Sequence, residues 1–153
     1  MKKSLTVIFC LSLSLSSMGQ CLDSLQFPNT APPCYADFIP VCGCDGVTYQ
    51  NSCFADYATV LNYAEGPCDQ IAIDIYPNPC SNWMSFTAVT KYESDVNLYI
   101  FDRNGNVYYY QYLSNVTSQT LSIPVYQFEQ GLYIIMAKSK GEAKLLKFIR
   151  WEE

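Results

Sequence analysis

The sequence predicts a small disulfide-rich α+β module followed by an all-β antiparallel sandwich. Three observations carry this. Six cysteines, Cys21, Cys34, Cys42, Cys44, Cys53 and Cys68, crowd into the stretch 21–68, which is short of hydrophobic strands. From residue 69 onward Tyr, Ile, Leu, Val and Phe alternate with polar residues at the two-residue period of a half-buried strand. Charge divides at the same point. Between Gln20 and Cys68 there are five acids (Asp23, Asp37, Asp45, Asp56, Glu65) and no Lys or Arg, whereas Asp69 onward carries nine acids and seven bases.

The chain has 153 residues, enough for one ordinary domain or two small ones. It opens on "MKKSLTVIFCLSLSLSSMGQ": two lysines, an apolar core from Leu5 to about Leu15, then small residues. That pattern predicts a secretory signal peptide over 1–19. Ser17 and Gly19 fit the small-x-small rule for cleavage after Gly19. The apolar run is too short to span a bilayer, and no transmembrane segment is expected in the mature chain. A lipidated Cys21 is the competing reading, but Met18-Gly19-Gln20 is a poor match to the small residue such a site needs. Cys10 leaves with the signal, and the other seven cysteines enter an oxidising space.

Composition excludes several function classes. The chain has no histidine, which removes Ser-His-Asp and Cys-His catalysis and the usual imidazole metal sites. The net charge of -5 argues against nucleic acid as a partner. The carboxylates are scattered and there is no glycine-rich phosphate loop, so no enzyme activity, cofactor or metal is expected. A zinc site built from Cys42, Cys44, Cys53 and one more cysteine would need four reduced thiolates outside the cytoplasm.

The first module is expected to span 20–68. A body this small cannot fold on its core alone. Three disulfides, each worth about 2–4 kcal/mol, would supply the difference. The segment Cys34 to Cys42 has no helical period, is pinned by cysteines at both ends and is stiffened by Pro40; it reads as an exposed, restrained loop. Asp45-Gly46 is a turn, and Val47-Thr48-Tyr49 a short β-type run after it. Asn51-Ser52 can cap a helix starting near Cys53. Phe54, Tyr57 or Ala58, and Leu61 would form its apolar face, with Asp56 on the wet side. Six cysteines allow 15 pairings, and the residues alone do not choose among them.

The string "PPCYADFIPVCGCDGVTYQNSCFADYA", followed by "GPC", resembles a Kazal-type serine protease inhibitor domain over about 21–68. The carrying features are the seven residues between Cys34 and Cys42, Pro40-Val41-Cys42-Gly43 before the Asp45-Gly46 turn, Thr48-Tyr49-x-Asn51, Cys53 opening a short helix, and the closing Gly66-x-Cys68. One position departs: Asp56 stands where a cysteine is usual, and Cys44 is present instead. The resemblance implies the pairs Cys34–Cys53 and Cys42–Cys68 and, with one anchor moved, Cys21–Cys44. It implies that Ala36 is the primary specificity residue and Ala36–Asp37 the reactive bond. Cys34, Tyr35, Phe38 and Ile39 would touch the protease, and Asn51 would hold the loop carbonyls. The implied partner is a serine protease with a small primary pocket, elastase-like or subtilisin-like. A non-inhibitory spacer or binding module on the cell surface is the alternative.

The second half, 69–153, offers seven strand candidates: 71–76, 83–90, 95–101, 106–113, 119–124, 132–138 and 143–149. Asp102-Arg103-Asn104-Gly105 is a hairpin break, and seven short strands at this spacing argue for an Ig-like sandwich. "IYPNP", "VNLYIFDRNGNVYYY", "GLYIIMAK" and the terminal "KLLKFIR" together resemble the type A C-terminal sorting domain of the type IX secretion system, found in Bacteroidota. That resemblance implies a protein taken to the periplasm and then read by outer-membrane export machinery, so that it ends secreted or on the outer cell surface. A carbohydrate-binding sandwich using Tyr108, Tyr109, Tyr110 and Tyr112 competes, but tyrosine-rich strands are more often sheet packing. Cys80 has no evident partner and reads as a buried, inert thiol. Asn115-Val116-Thr117 is a poor sequon in a bacterial setting, and Asp23-Ser24-Leu25 resembles the O-glycosylation motif of Bacteroidota.

Overall fold

The computed structural model describes residues 21–23 and 34–152. The expected signal peptide (1–19), and Ser24 and Leu25 of the glycosylation motif, lie outside the described residues.

The first module is a three-stranded antiparallel sheet, β2-β1-β3, with one short helix. Strand β1 is Val41–Gly43, β2 is Thr48–Tyr49, and β3 is Tyr63–Glu65. The β1–β2 connection turns at Gly46, whose φ of +79° suits a residue without a Cβ. Helix α1, Ser52–Tyr57, starts where the Asn51 Oδ1 accepts the Phe54 N–H at 3.3 Å. Among the described residues the core is small: Val41, Ala55 and Val60 are buried, with Cys21, Tyr49 and Ala58 packed on them. The apolar face of α1 therefore centres on Ala55, and Leu61 is exposed. The reason is length. The helix stops after six residues and Thr59 turns to φ +62°, so the spacing from Phe54 to Leu61 is not carried on one face.

With so few buried side chains, cross-links hold the module. Disulfides join Cys21 to Cys44, Cys34 to Cys53 and Cys42 to Cys68. They tie the N-terminal segment to the turn after β1, the start of the loop to α1, and β1 to the module's end. The Cys21 sulfur is thereby occupied, which leaves it no valence for a lipid thioether.

The second half is all antiparallel β. Its five strands are β4 Ile71–Tyr76, β5 Trp83–Asp102, β6 Val107–Pro124, β7 Gly131–Ser139 and β8 Glu142–Arg150. The sequence suggests seven strands, and two pairs of these are continuous: 83–90 with 95–101 forms β5, and 106–113 with 119–124 forms β6. The physical reason is that Lys91-Tyr92-Glu93 contains no Gly or Pro to break the chain. The β5–β6 ladder instead absorbs the bend through register shifts between Val89 and Ser94 and between Ser94 and Val96, and through Asn115 at φ +53°. Strand β6 follows one edge of β5 throughout. The other edge pairs first with β4 along Ser85–Thr90, then with β7 along Asn97–Asp102. In place of the two sheets of an Ig-like sandwich, the pairing is that of one sheet that curls on itself.

Two polar devices hold the curl. At the bend, where ladder partners are lost, the buried Thr90 hydroxyl donates to the Val116 carbonyl at 2.5 Å, and Ser139 Oγ lies 3.0 Å from Ser94 Oγ and 2.8 Å from the Asp95 carbonyl. At the seam, the Asn78 side chain accepts from Ile149 N (3.1 Å) and donates to the Lys147 carbonyl (3.0 Å), while Cys80 N donates to the Ile149 carbonyl and Trp151 N to the Cys80 carbonyl. The "YPNPC" segment thus staples β8. Inside, every second residue is buried: Met84, Phe86 and Ala88, then Val96, Leu98 and Ile100 from β5, with Ile71, Ile123, Ile135 and Phe148 facing them. Each large apolar side chain buried here contributes about 1.5–3 kcal/mol.

The tyrosines of β6 have partners within the fold. Tyr108 packs on Phe128 and Tyr133, Tyr110 on Tyr99, and the Tyr112 hydroxyl donates to Asp95 at 2.6 Å. Cys80 is buried and unpaired, and burial pushes its thiol pKa up. Among the described residues no helix is long and apolar enough to cross a membrane.

Candidate functional site

The segment from Cys34 to Cys42 is an arch on two covalent posts. One end is bonded to α1 through Cys34–Cys53, and the other enters β1, which is bonded to the module's end through Cys42–Cys68. Neither end can drift without unfolding the sheet or the helix. Between the posts four side chains face solvent. Tyr35 is 84% and Ile39 69% exposed, and Ala36 and Asp37 are exposed too. Phe38 is half-buried and lines a cavity of about 300 Å³ with Tyr49, Ile73 and Leu146. Pro40 and Val41 are buried and anchor the descending limb.

The arch is braced from below by two consecutive residues. Asn51 Nδ2 donates to the Tyr35 carbonyl at 3.0 Å and to the Asp37 carbonyl at 2.9 Å, the two carbonyls flanking Ala36. The other atom of the same amide caps α1, so one side chain fixes the loop to the helix start. Gln50 adds a second brace. Its backbone carbonyl accepts from Ile39 N at 3.0 Å, and its Nε2 donates to the Ala36 carbonyl at 2.8 Å. Sequence reasoning finds Asn51 through the family motif. It misses Gln50, because a side chain reaching fourteen residues back leaves no periodic or motif signal.

The turn beneath the arch explains the Cys-Gly-Cys. A Cβ at Gly43 would lie 2.3 Å from Asp45 Oδ1 and 2.9 Å from the Tyr49 ring. Asp45 holds that space because its carboxylate accepts from Val47 N (3.1 Å) and from the Tyr49 hydroxyl (2.7 Å). The Tyr49 hydroxyl holds the Asp45 carboxyl below its usual range, and the same bond helps push the Tyr49 pKa up to about 12. The signs then run in two directions. The Asp45 contribution is present above the usual carboxylate pKa of about 3.9 and is lost as pH falls through the lower folded value. The Tyr49 contribution is present below about pH 10 and fades as pH climbs toward 12. Acidification below about pH 4 is therefore expected to lower the melting temperature of the wild type more than that of Asp45→Asn. Parallel melting curves for the two across that range would show that the turn does not depend on the carboxylate.

Cys42, Cys44 and Cys53 stand in three different disulfides. The junction to the second half is short and held by polar contacts: Lys91 Nζ donates to the Cys68 carbonyl (3.1 Å), Gln70 N to Glu142 (2.9 Å), and Lys144 pairs with Asp69 at 2.5 Å.

Two family models match the chain in succession. The Kazal-type serine protease inhibitor domain matches residues 25–63, which include the arch, Gln50, Asn51 and α1. The secretion system C-terminal sorting domain matches residues 74–150, half of the chain, from β4 to the end of β8. No curated protein matches the chain. The chain therefore belongs to the family of proteins that end in a secretion system C-terminal sorting domain, and what precedes that tail is a Kazal-type serine protease inhibitor domain.

Proposed function

We propose that this protein inhibits serine proteases by presenting Ala36–Asp37 as a bond that is recognised and only slowly turned over. The sorting domain marks the protein for export by the type IX system, to the medium or the outer cell surface. The observation that carries the inhibitor reading is Asn51 bonded to the carbonyls on both sides of Ala36, in an arch whose ends are cross-linked and whose Tyr35, Ala36, Asp37 and Ile39 side chains are exposed.

The mechanism follows from rigidity. A protease binds its substrate as an extended strand, and a flexible peptide loses conformational entropy in adopting that shape. An arch already held in place loses little. If the bond is cut, the Cys34–Cys53 and Cys42–Cys68 bridges and the Asn51 bonds hold the new ends near each other. Resealing then competes with release.

Specificity follows from size and charge. Ala36 offers one methyl group, worth about 0.8 kcal/mol on burial, and no cation. An elastase-like or subtilisin-like enzyme with a small primary pocket suits it. Most of the affinity would come from Tyr35, Phe38, Ile39 and rigidity. Asp37, directly after the bond, is the observation that favours the second reading, a non-inhibitory spacer or binding module, because few proteases accept an acid there.

The test is titration of the mature chain against a panel of small-pocket serine proteases. Slow, stoichiometric loss of activity supports inhibition; rapid digestion, or no effect on any enzyme, supports the spacer. Ala36→Lys is expected to redirect the protein to trypsin-like enzymes with a gain of about 10- to 100-fold, as a new charged hydrogen bond in the primary pocket would provide. A lysine variant that trypsin neither binds nor cuts at residue 36 would show that this loop does not enter protease active sites.

A further inference from the structure

We propose that Gln50 is a built-in competitor for the reactive carbonyl: its side-chain amide occupies the Ala36 oxygen that a protease must capture in its oxyanion hole. The proposal rests on the inhibitor reading above and concerns how tightly that inhibitor holds its target. Gln50 Nε2 lies 2.8 Å from the Ala36 carbonyl oxygen. The assignment of the amide is unambiguous, since a carbonyl oxygen only accepts and the amide nitrogen alone donates.

The three loop carbonyls differ in what docking asks of them. Those of Tyr35 and Asp37 are held by Asn51 and flank the bond. They brace the arch from within and need not change when a protease arrives. The Ala36 oxygen is the acyl oxygen of the reactive bond. Serine proteases take that oxygen with two N–H donors in the oxyanion hole, backbone groups or, as in subtilisin, an Asn side-chain amide beside a backbone group. A carbonyl oxygen has two lone pairs, so two oxyanion donors leave no place for a third. Gln50 must release it for full docking. The release is not offset by preorganisation, because the two disulfides, the Asn51 bonds and the Ile39–Gln50 backbone bond already hold the arch. Gln50 is thus a positioning residue whose bond stabilises the free inhibitor at the expense of the complex.

The experiment uses the full mature chain and subtilisin as the probe protease. Gln50→Ala removes the donor, and Gln50→Met removes it while keeping nearly the same length. Both are expected to lower the inhibition constant about two- to tenfold, the range for one lost competing hydrogen bond. A second measurement reads the bond itself. The Gln50 side-chain amide protons are expected to exchange slowly with solvent in the free protein and quickly in the complex with inactivated subtilisin, while those of Asn51 stay protected in both. Wild-type inhibition with unchanged or weaker binding by both variants would overturn the proposal, as would tightening by Gln50→Ala alone, which is a steric effect. Persistent protection of the Gln50 amide in the complex would overturn it too. A wild type that inhibits no small-pocket protease, subtilisin included, would overturn the inhibitor reading and the competition with it.

Discussion

Replacing both Cys34 and Cys53 by alanine is expected, on the proposed inhibitor reading, to turn the arch into an ordinary protease substrate. The bridge closes a span of 19 residues and joins the first residue of the arch to α1. Its removal frees the ascending limb, so Tyr35 and Ala36 lose their fixed position relative to Asn51. Stability is expected to fall by about 2–5 kcal/mol, a large share of what a body this small possesses. After cleavage at Ala36–Asp37 the limb is no longer tethered at its base, and only the distant Cys21–Cys44 bridge still holds the fragment, so resealing is expected to slow. The measurement is cleavage at that bond, followed by mass spectrometry with catalytic amounts of protease, for the wild type, the Cys34/Cys53 variant and a Cys21/Cys44 variant. The last loses a bridge of similar span, 23 residues, that does not touch the arch. It separates general loosening from loss of the arch's post. Fast cleavage in the Cys34/Cys53 variant alone supports the mechanism; equal rates in both would mean that global stability sets resistance.

The second large effect is expected at Asn51, where two substitutions separate two jobs. Asn51→Ala deletes both loop bonds and the cap on α1. Two hydrogen bonds at about 0.5–1.5 kcal/mol each and a cap at about 1 kcal/mol give a combined loss of roughly 2–4 kcal/mol in the folded module. Asn51→Asp keeps an acceptor for the Phe54 N–H and so keeps the cap. It replaces the donor with an oxygen facing two carbonyl oxygens, a repulsive arrangement. Asn51→Asp is therefore expected to melt close to the wild type but inhibit roughly 10- to 100-fold more weakly, with faster cleavage at Ala36–Asp37. Asn51→Ala is expected to lose both stability and inhibition. If Asn51→Asp inhibits as well as the wild type, the arch is held by its disulfides and the Ile39–Gln50 backbone bond, and the Asn51 bonds are incidental.

The sorting domain and the loop-bearing module differ in how they resist disorder. The second half buries a full apolar face, with Phe86, Ile100, Ile135 and Phe148 wholly inside. The described residues of the first module bury Val41, Ala55 and Val60, and three disulfides cross-link them. Reducing conditions should therefore unfold the first module before the second. The three disulfides all lie in the first module, outside the residues matched by the sorting domain.

Much of the architecture was legible in the amino acids because the signals are local. Alternation of Val96, Leu98 and Ile100 with Asn97 and Tyr99 places one set inside and the other outside whichever strands lie alongside. Asp102 and Gly105 announce a turn because the carboxylate accepts the Asn104 and Asn106 N–H groups and glycine takes φ +88°. Cysteine density, the absence of histidine and the change in charge at residue 69 divide the chain and exclude whole classes of chemistry. Only the folded chain decided that seven strand segments become five strands, since bending at Lys91–Ser94 without a break depends on partners more than twenty residues away. Composition and spacing left 15 conceivable pairings open, and the family resemblance singled out the Cys34–Cys53 bridge that the folded chain contains. Only the folded chain set the Gln50 amide on the Ala36 carbonyl. The physical division is one of range: periodicity and turn chemistry act between neighbours, whereas bend, pairing and the bracing of the arch arise between residues that meet only after collapse.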